Sequence, residues 1–400
     1  CMNIDLLIKK KNLIYLIALL LEIIAMLIDL TTIPFMVGEE VSSPALKMIR
    51  YLGYLLVVVK LLLDDYSRTQ ICVIMGIIII LIANSISVGG NAALCLFLFV
   101  IGMKDIDFYY VCKVVLVFYI LGVCFTALGA TLGIIDNWKY TLGGRVRYSL
   151  GYFYPSHATS ALFYTICLFC FVYGKKLRLW HVVLFEIINI WQYRITTSRA
   201  GTLLLLFLPI MFYLVKFTKK ELKTTLYGRV LSFTFPICAT VSLISALVYK
   251  GTGILARINE LLNNRIVLAN NAIKEFGFSL FGENIEWIGN GGYGYTFNEF
   301  SGKYNYVDCS YIKILLDEGI VFYTLIIIGF TIVSVQAVRK NDKYLLLALV
   351  FVAVYSIIEP RLITIGFNPF VLTLVALIED SNPTKYTNSI KRQGEKYETA

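Results

Sequence analysis

The stretch that decides the fold begins at residue 263 as N-N-R-I-V-L-A-N-N-A-I-K-E-F-G-F-S-L-F-G and closes at 307–319 as V-D-C-S-Y-I-K-I-L-L-D-E-G. Both sequences lie in the one long polar segment, residues 251–318, of a chain that is otherwise almost continuously apolar. Long loops without regular structure are uncommon unless they are functional. We therefore expect this segment to form a lid and half of an active site on a membrane scaffold.

The composition of the flanking sequence indicates an integral membrane protein. Hydrophobic residues make up 58% of the 400 residues, charged residues only 16%, and the mean hydropathy is +0.75. A soluble chain of this length could not bury so much apolar surface. The apolar runs are long enough for membrane helices and lack the alternation, over about ten residues, that barrel strands show. The predicted fold class is an all-α polytopic membrane protein.

Twelve apolar runs predict about twelve transmembrane helices, which would place both termini on the same side of the membrane. The runs are 12–37, 45–63, 71–84, 92–103, 109–132, 156–174, 179–194, 200–216, 230–249, 320–338, 343–358 and 363–378. The first run is too long for a cleavable signal peptide. The chain then divides into helices 1–9 (residues 1–250), the large loop (251–319), helices 10–12 (320–378) and a cytoplasmic tail (379–400).

The positive charge predicts topology rather than a nucleic-acid partner. The formal net charge is +10, but lysine and arginine occur in short clusters that are concentrated in alternate connections. This is the pattern of cytoplasmic loops under the positive-inside rule. The rule places 251–318 on the extracytoplasmic side of the membrane.

Several basic residues depart from that rule, and from residue 140 onward those in the short outer loops are all arginines. The predicted outer arginines are Arg145, Arg147, Arg194, Arg199, Arg265 and Arg361. Arginine presents a planar fork of donors that matches phosphate and keeps its charge. Together these residues predict an extracytoplasmic site for a polyanion. The alternative for any single arginine is that its side chain simply reaches up to the membrane interface.

Two sequence motifs place arginines at helix starts. G-G-R-V-R-Y-S-L-G-Y-F-Y-P-S-H-A-T-S-A (143–161) contains Pro155, which suits a first helical position, and T-T-S-R-A-G (196–201) contains Ser198, a plausible cap. Helix N-termini attract anions through unpaired N–H groups. The two starts together predict a phosphate clamp. His157 is a general base, a hydrogen-bond donor or a histidine that packs at the helix start.

The ordered set of motifs resembles the O-antigen polymerase and ligase superfamily, and most closely the capsular repeat-unit polymerases of Wzy type. The set comprises R-Y-S-L-G-Y-F-Y-P (147–155), S-R-A (198–200), Arg265 followed by A-I (272–273), L-F-G (280–282) and the segment ending in E-G at 319. The resemblance covers roughly residues 140–370. No single motif is specific; the order of the set carries the resemblance.

The resemblance implies a GT-C-like membrane glycosyltransferase that acts on undecaprenyl-pyrophosphate-linked glycans outside the membrane. It implies that Arg199 and Arg265 contact pyrophosphate, assisted by Arg145, Arg147 or Arg361, and that Tyr311 belongs to the substrate site. Expected partners are the lipid-linked donor and acceptor, membrane lipids, a flippase and a chain-length regulator. No cofactor or metal is expected, and the two histidines exclude a histidine-rich metal site.

Asp308 is where the chain departs from the ligase branch. Ligases of this superfamily carry a histidine three residues before the tyrosine that corresponds to Tyr311, whereas this chain has aspartate. The departure favours a polymerase and supplies a carboxylate as the candidate catalytic base. A second role as helix N-cap is equally compatible with the sequence and does not exclude the first.

Two other function classes remain open. A lipid-linked oligosaccharide flippase also has about twelve helices, but transporters usually show internal repeats. A polyprenyl-phosphate-sugar transferase would use Glu39 and Glu40 in the first outer loop as catalytic carboxylates. The D-x-D at Asp105–Asp107 resembles a metal site, but it falls on a predicted cytoplasmic loop and is better explained as solvated.

Overall fold

A computed structural model describes residues 4–38, 43–142, 145–289 and 304–378, and the chain is mostly helical. Within these ranges the α-helices are α1 (Ile4–Asp29), α2 (Ile33–Met36), α3 (Pro44–Leu62), α4 (Arg68–Val88), α5 (Ala92–Gly102), α6 (Phe108–Thr131), α7 (Pro155–Tyr173), α8 (Leu179–Thr196), α9 (Arg199–Val215), α10 (Leu226–Ser232), α11 (Thr234–Leu247), α12 (Gly253–Leu261), α13 (Arg265–Phe276), α14 (Ser310–Asp317), α15 (Gly319–Arg339) and α16 (Lys343–Tyr355). Short 3₁₀ helices cover Gly174–Lys176, Leu222–Thr224 and Pro369–Leu377. A hairpin of strands β1 (Lys139–Leu142) and β2 (Arg145–Tyr148), which the sequence did not predict, pairs antiparallel in the register Lys139↔Tyr148.

Among the described residues, five helices are long and apolar enough to cross a membrane, which confirms the predicted class of helical membrane protein. These segments are Lys10–Asp29, Arg68–Val88, Phe108–Thr131, Pro155–Lys176 and Gly319–Arg339. The pair α10 and α11, bent by 56°, forms a sixth if it counts as one span. Helix length and apolarity thus account for five or six of the twelve predicted spans. Helices α5, α9 and α16 are apolar but shorter.

The last predicted span, 363–378, differs from the structure. Its regular part is the nine-residue 3₁₀ helix Pro369–Leu377, in which Phe370 and Val371 are fully buried. A 3₁₀ helix rises about 2 Å per residue, so this element is too short for a hydrocarbon core of about 30 Å. The apolar residues that suggested a membrane span instead pack inside the protein.

Local signals fix where several helices begin. Ser67 and Gln70 form a reciprocal capping box at α4, and the Asp107 carboxylate accepts N–H groups from the first turn of α6. Such side chains satisfy amides that have no partner within the helix. At its far end α4 stops at Gly89, whose φ of 69° is left-handed.

Helix α7 is the centre of the bundle. Residues in its span are 89% buried inside the protein, against 11% for α4 at the periphery. It packs against α6, α8, α9 and α16, and the Phe163 ring stacks on Tyr355 of α16 with centroids 3.8 Å apart. Because α7 is enclosed by other helices, the residues at its start are held in a fixed position.

The described parts of the long polar segment, 251–289 and 304–318, are folded, contrary to the expectation of a structureless loop. It contains α12 and α13, an extended stretch to residue 289, a second stretch from 304 and then α14. Helix α13 packs against α11 and α14. Its first turn is held by Asn259, whose Oδ1 accepts N–H groups from Ile266 and Val267 at 3.0 Å each. The segment therefore presents Arg265 from an anchored helix.

The L-F-G and E-G elements meet each other across this segment. Gly282 and Gly319 both have positive φ, 88° and 81°, and a Cβ on either would collide with backbone of the other element. Asn84 of α4 pins the junction by donating its amide to the carbonyls of Phe281 and Glu318, both at 3.0 Å. Only glycine fits such close backbone approach at left-handed φ. The two motifs therefore attach the polar segment to α4 and α15.

Candidate functional site

Polar groups converge where α7 begins, α13 begins, α14 begins and the chain leaves α16. We call this group the charged cluster, and its members are His157, Arg265, Asp308, Glu359 and Arg361. Four of them were predicted from the sequence as site residues, and the fold brings those four together from four separate segments. Glu359 was not among the predicted residues.

Arg265 and Asp308 form an ion pair. Nε of Arg265 donates to Oδ2 of Asp308 at 3.2 Å, and the two side chains are 14% and 26% exposed. A partly buried guanidinium keeps its charge and has five N–H donors in all, so most of its donors remain for a ligand. The pair thus offers a cation and a carboxylate side by side at the surface of the cluster.

Asp308 does not cap the following helix, so that part of its predicted role is wrong. Helix α14 begins at Ser310, its N-cap is Cys309, and no side chain of the cap accepts a hydrogen bond. The carboxylate of Asp308 points to Arg265 because the chain turns into the helix one residue later than the capping hypothesis requires. Its position is set by the ion pair rather than by the helix.

Arg361 binds His157. Nη2 of Arg361 lies 2.6 Å from Nε2 of His157, and the His157 side chain is fully buried. Arginine only donates hydrogen bonds, so Nε2 must accept, and the imidazole is neutral with its proton on Nδ1. The lone pair that a general base would use is therefore occupied in this arrangement. His157 acts here as a support for Arg361.

Glu359 is the carboxylate that sequence reasoning missed. It is 5% exposed, and its Oε1 lies 3.6 Å from Nε of Arg361. Burial raises its pKa to about 7, while Arg361 lowers that pKa and Asp308 raises it again. A carboxylate with a pKa near neutrality can both accept and return a proton. The only sequence signal is the acidic residue in E-P-R (359–361), immediately after an apolar run.

Ser310 joins the segments that carry the two carboxylates. Its hydroxyl donates to the backbone carbonyl of Glu359 at 2.5 Å and accepts the amide of Leu362 at 3.2 Å. Its own amide donates to the carbonyl of Ser356 at 2.9 Å. These bonds dock the start of α14 on the chain that leaves α16, which sets Asp308 beside Glu359.

Arg147 lies next to this group, but its side chain binds the C-terminal end of α8. Its Nε donates to the carbonyl of Thr196, the last residue of α8, at 2.9 Å. Its guanidinium is 5.8 Å from the ring of Tyr154, whose pKa is raised by burial and lowered by Arg147. Arg265 and Asp308 also act on that pKa, and the Tyr154 ring lies 6.0 Å from that of His157, so Tyr154 is close to both Arg147 and the charged cluster.

The remaining predicted residues are placed differently. Arg199 is the exposed first residue of α9, and Ser198 makes no side-chain cap there. Of Arg145, the structure describes only the backbone, which opens β2. Tyr311 is fully buried and donates to the carbonyl of Ala353 at 2.8 Å, so it belongs to the core rather than to the ligand side of the cluster.

Other acidic residues have structural explanations. Asp107 caps α6 and Asp105 pairs with Lys104 at 2.8 Å, so both carboxylates of the D-x-D have partners within the protein. Glu22 and Asp29 of α1 face Arg50 of α3, at 3.7 and 2.8 Å. In the described residues no group of three histidine, cysteine or acidic side chains could hold a metal ion. Glu39 and Glu40 lie outside the described residues.

The cluster combines fixed guanidinium groups with two carboxylates at one end of a membrane bundle. Arginines bind phosphate oxygens, and a carboxylate of raised pKa handles protons. Comparison of the chain with known protein families, with curated proteins and with solved structures gives no match. The function therefore has to be argued from these residues.

Proposed function

We propose that this chain is a membrane glycosyltransferase that joins undecaprenyl-pyrophosphate-linked oligosaccharide repeat units on the outer face of a bacterial plasma membrane. The supporting observation is the pairing of Arg265 with Asp308 beside Arg361 and Glu359. A pyrophosphate leaving group needs fixed positive charge, and a sugar hydroxyl needs a proton acceptor. The proposal includes a GT-C-like fold, about twelve spans and the topology predicted from the basic loops.

In the proposed reaction, a hydroxyl oxygen of the incoming repeat unit attacks the anomeric carbon of the growing chain. The bond from that carbon to the pyrophosphate oxygen breaks, and undecaprenyl pyrophosphate leaves with the electron pair. The guanidinium groups of Arg265 and Arg361 stabilise the charge that develops on it. The hydroxyl proton passes to a carboxylate, Asp308 or Glu359.

The ion pair serves this reaction in two ways. Before substrate arrives, Asp308 compensates the charge of Arg265 and holds its guanidinium in place. When phosphate oxygens take over the donors of Arg265, Asp308 becomes a stronger proton acceptor for a nearby hydroxyl. Preorganised charges of this kind are usually a large contribution to catalysis.

One observation favours a transporter as the second candidate. Arg50 faces both Glu22 and Asp29 on α1, one of the membrane-spanning helices, and charges inside a membrane commonly mark translocation paths. A flippase would be expected to use that group. The charged cluster at the end of α7 would then be structural.

Reconstitution separates the two candidates. The purified protein is placed in liposomes with undecaprenyl-pyrophosphate-linked repeat units extracted from cells that lack this gene. A ladder of polymers that grows by one repeat unit is the expected result. Transfer of the lipid-linked unit between leaflets without any ladder would overturn the proposal and favour the flippase. An Arg265→Ala protein serves as the control that should give no ladder.

A further inference from the structure

A second polar group lies beside the charged cluster and has no part in the chemistry described above. We call it the aromatic pocket, and its members are Trp287, Tyr306, Lys313 and Asp317. The Asp317 carboxylate accepts Nε1–H of Trp287 on one oxygen and Nζ of Lys313 on the other, both at 2.7 Å. Nζ of Lys313 lies 4.3 Å from the centroid of the Trp287 ring and 5.2 Å from that of Tyr306.

The backbone holds this group in place. Lys313 and Asp317 are one turn apart on α14 and therefore share a face of that helix. Asn305 ties the stretch that carries Tyr306 to the stretch that carries Trp287. Its backbone N–H donates to the carbonyl of Ile288 at 3.2 Å, and its side-chain Oδ1 accepts the N–H of Ile288 at 2.6 Å. The Trp287 and Tyr306 rings meet edge to face, with centroids 6.0 Å apart.

The charges of the aromatic pocket balance. Lys313 and Asp317 compensate each other, and burial lowers the pKa of Lys313 while Asp317 raises it. This site therefore does not suit a second phosphate. The ammonium group has three donors and the carboxylate about four acceptor positions, of which the internal contacts use only some. Since the two side chains are still 18% and 23% exposed, the rest can reach a ligand.

The chemistry that fits such a site is a neutral sugar ring. A pyranose has a face of C–H groups and a rim of neighbouring hydroxyls that both donate and accept. An aromatic ring can stack on the face of C–H groups, and a lysine–aspartate pair can exchange hydrogen bonds with the hydroxyls. We propose that the aromatic pocket is a sugar subsite, in which a pyranose takes the place of the Lys313 ammonium on the face of Trp287 and its hydroxyls bind Lys313 and Asp317.

The position of the subsite is set by Tyr306. Its ring contacts Trp287 and Lys313, and it lies two positions before Asp308 in the chain. Burial raises the pKa of this tyrosine, and the charges that act on that pKa include Arg361, Asp308 and Glu359 of the charged cluster and Asp317 of the aromatic pocket. Tyr306 thus lies close to both groups. A glycan whose reacting end lies at the charged cluster places a neighbouring sugar on Trp287. That assignment of the glycan rests on the proposed function, whereas sugar binding itself does not.

Binding can be tested without any reaction. Detergent-purified protein is applied to an array of defined pyranose oligosaccharides, both neutral and acidic, and compared with Trp287→Ala, Lys313→Gln and Trp287→Phe. We expect the wild type to bind neutral glycans and the first two variants to bind about tenfold or more weakly. Trp287→Phe keeps an aromatic face and should lose less. Trp180→Ala, an exposed tryptophan at the start of α8, is the matched control and should bind normally.

Size-exclusion profiles and melting temperatures show whether each variant remains folded. Equal binding by the wild type and a folded Trp287→Ala protein would overturn the subsite, as would a wild type that binds no glycan. In the ladder assay, the pocket variants should raise KM for the lipid-linked unit and leave kcat nearly unchanged. A wild type that binds glycans but makes no ladder would reject the proposed reaction and leave the subsite standing. A wild type that makes a normal ladder but binds no glycan would reject the subsite and leave the proposed reaction standing.

Discussion

Arg361 donates from Nη2 to Nε2 of His157 across 2.6 Å, which joins two residues 204 positions apart in the chain. His157 is buried at the start of the central helix α7, and Arg361 lies on the chain that leaves α16. The contact fixes a guanidinium on the most buried of the five candidate membrane helices. It also occupies the nitrogen lone pair through which the histidine could act as a base.

His157→Gln should therefore retain much of the ladder activity, because the amide oxygen can still accept a hydrogen bond from Arg361. His157→Leu should lose far more, since a hydrogen bond to a charged group is worth about 1.5–3 kcal/mol and the guanidinium would be released. Ladder synthesis in liposomes measures both variants. If Gln and Leu were equally inactive in folded protein, His157 would be a base rather than a support for Arg361.

Asp308→Asn should abolish polymer while lipid-linked repeat units still accumulate. A base contributes about 10²–10⁴-fold in rate, and asparagine cannot accept the proton. Because Cys309 is the N-cap, the variant tests the carboxylate without disturbing a cap. It should also lower the melting temperature, since Arg265 is left without its partner.

The double variant Asp308→Asn with Arg265→Gln is the control for that loss of stability. It removes both charges and should recover most of the melting temperature while remaining inactive. Long polymer from Asp308→Asn alone would assign the proton transfer to Glu359. Asp308 would then serve only to hold Arg265.

The sequence predicted what is encoded locally. Hydropathy identified the membrane class, and sequence motifs together with the outer arginines predicted His157, Arg265, Asp308 and Arg361 as site residues, which the fold places near one another. The start of α7 was also predictable, because proline at a first helical position has a local cause. The membrane class and the helix start depend on neighbours a few residues away.

What the sequence could not supply depends on contacts between distant segments. Glu359 becomes a proton-handling residue only because it is buried beside Arg361. Asn84 has no distinguishing sequence signal, and its role follows from the hydrogen bond that it donates to the carbonyl of Phe281. Tyr311 belongs to one of the motifs, but its side chain lies in the core and donates to a backbone carbonyl. A pattern along the chain contains no information on which distant groups it will meet.

The outer location of the polar segment can be tested by labelling. Lys274→Cys on α13 should react with a membrane-impermeant maleimide in intact cells, because this exposed residue lies in the segment predicted to be outside. Lys220→Cys, also exposed but in a predicted cytoplasmic connection, should react only after permeabilisation. The exposed native residues Cys72 and Cys124 are first replaced by alanine. The reverse labelling pattern would invert the topology and remove the proposed substrate from reach.

Arg199→Lys should shorten the polymer nearly as much as Arg199→Ala does. Among the described side chains none pairs with this exposed arginine, so its two-pronged group is available to phosphate, which a lysine point charge does not replace. Arg194→Lys is the matched control, because Arg194 is equally exposed near the end of α8. Full chain length in Arg199→Lys would mean that the residue contributes only a charge at the interface.

The pH dependence of stability should reveal Glu359. Its pKa is about 7 in the folded protein because of burial, against about 4.3 for an unfolded glutamate. Between these values the folded state holds a proton that the unfolded state releases, so rising pH costs stability, and above about pH 7 the loss is complete. The shift corresponds to about 4 kcal/mol. Glu359→Gln should remove that pH dependence. Melting temperatures are measured in detergent from pH 4.5 to 8, and the melting temperature of the variant should rise relative to that of the wild type as the pH increases.

Glu260→Gln, at an exposed position on α12, is the control and should keep the pH dependence of the wild type. Parallel curves for the wild type and Glu359→Gln would show that Glu359 is already ionised at pH 4.5, and it would then be unfit to return a proton near neutrality.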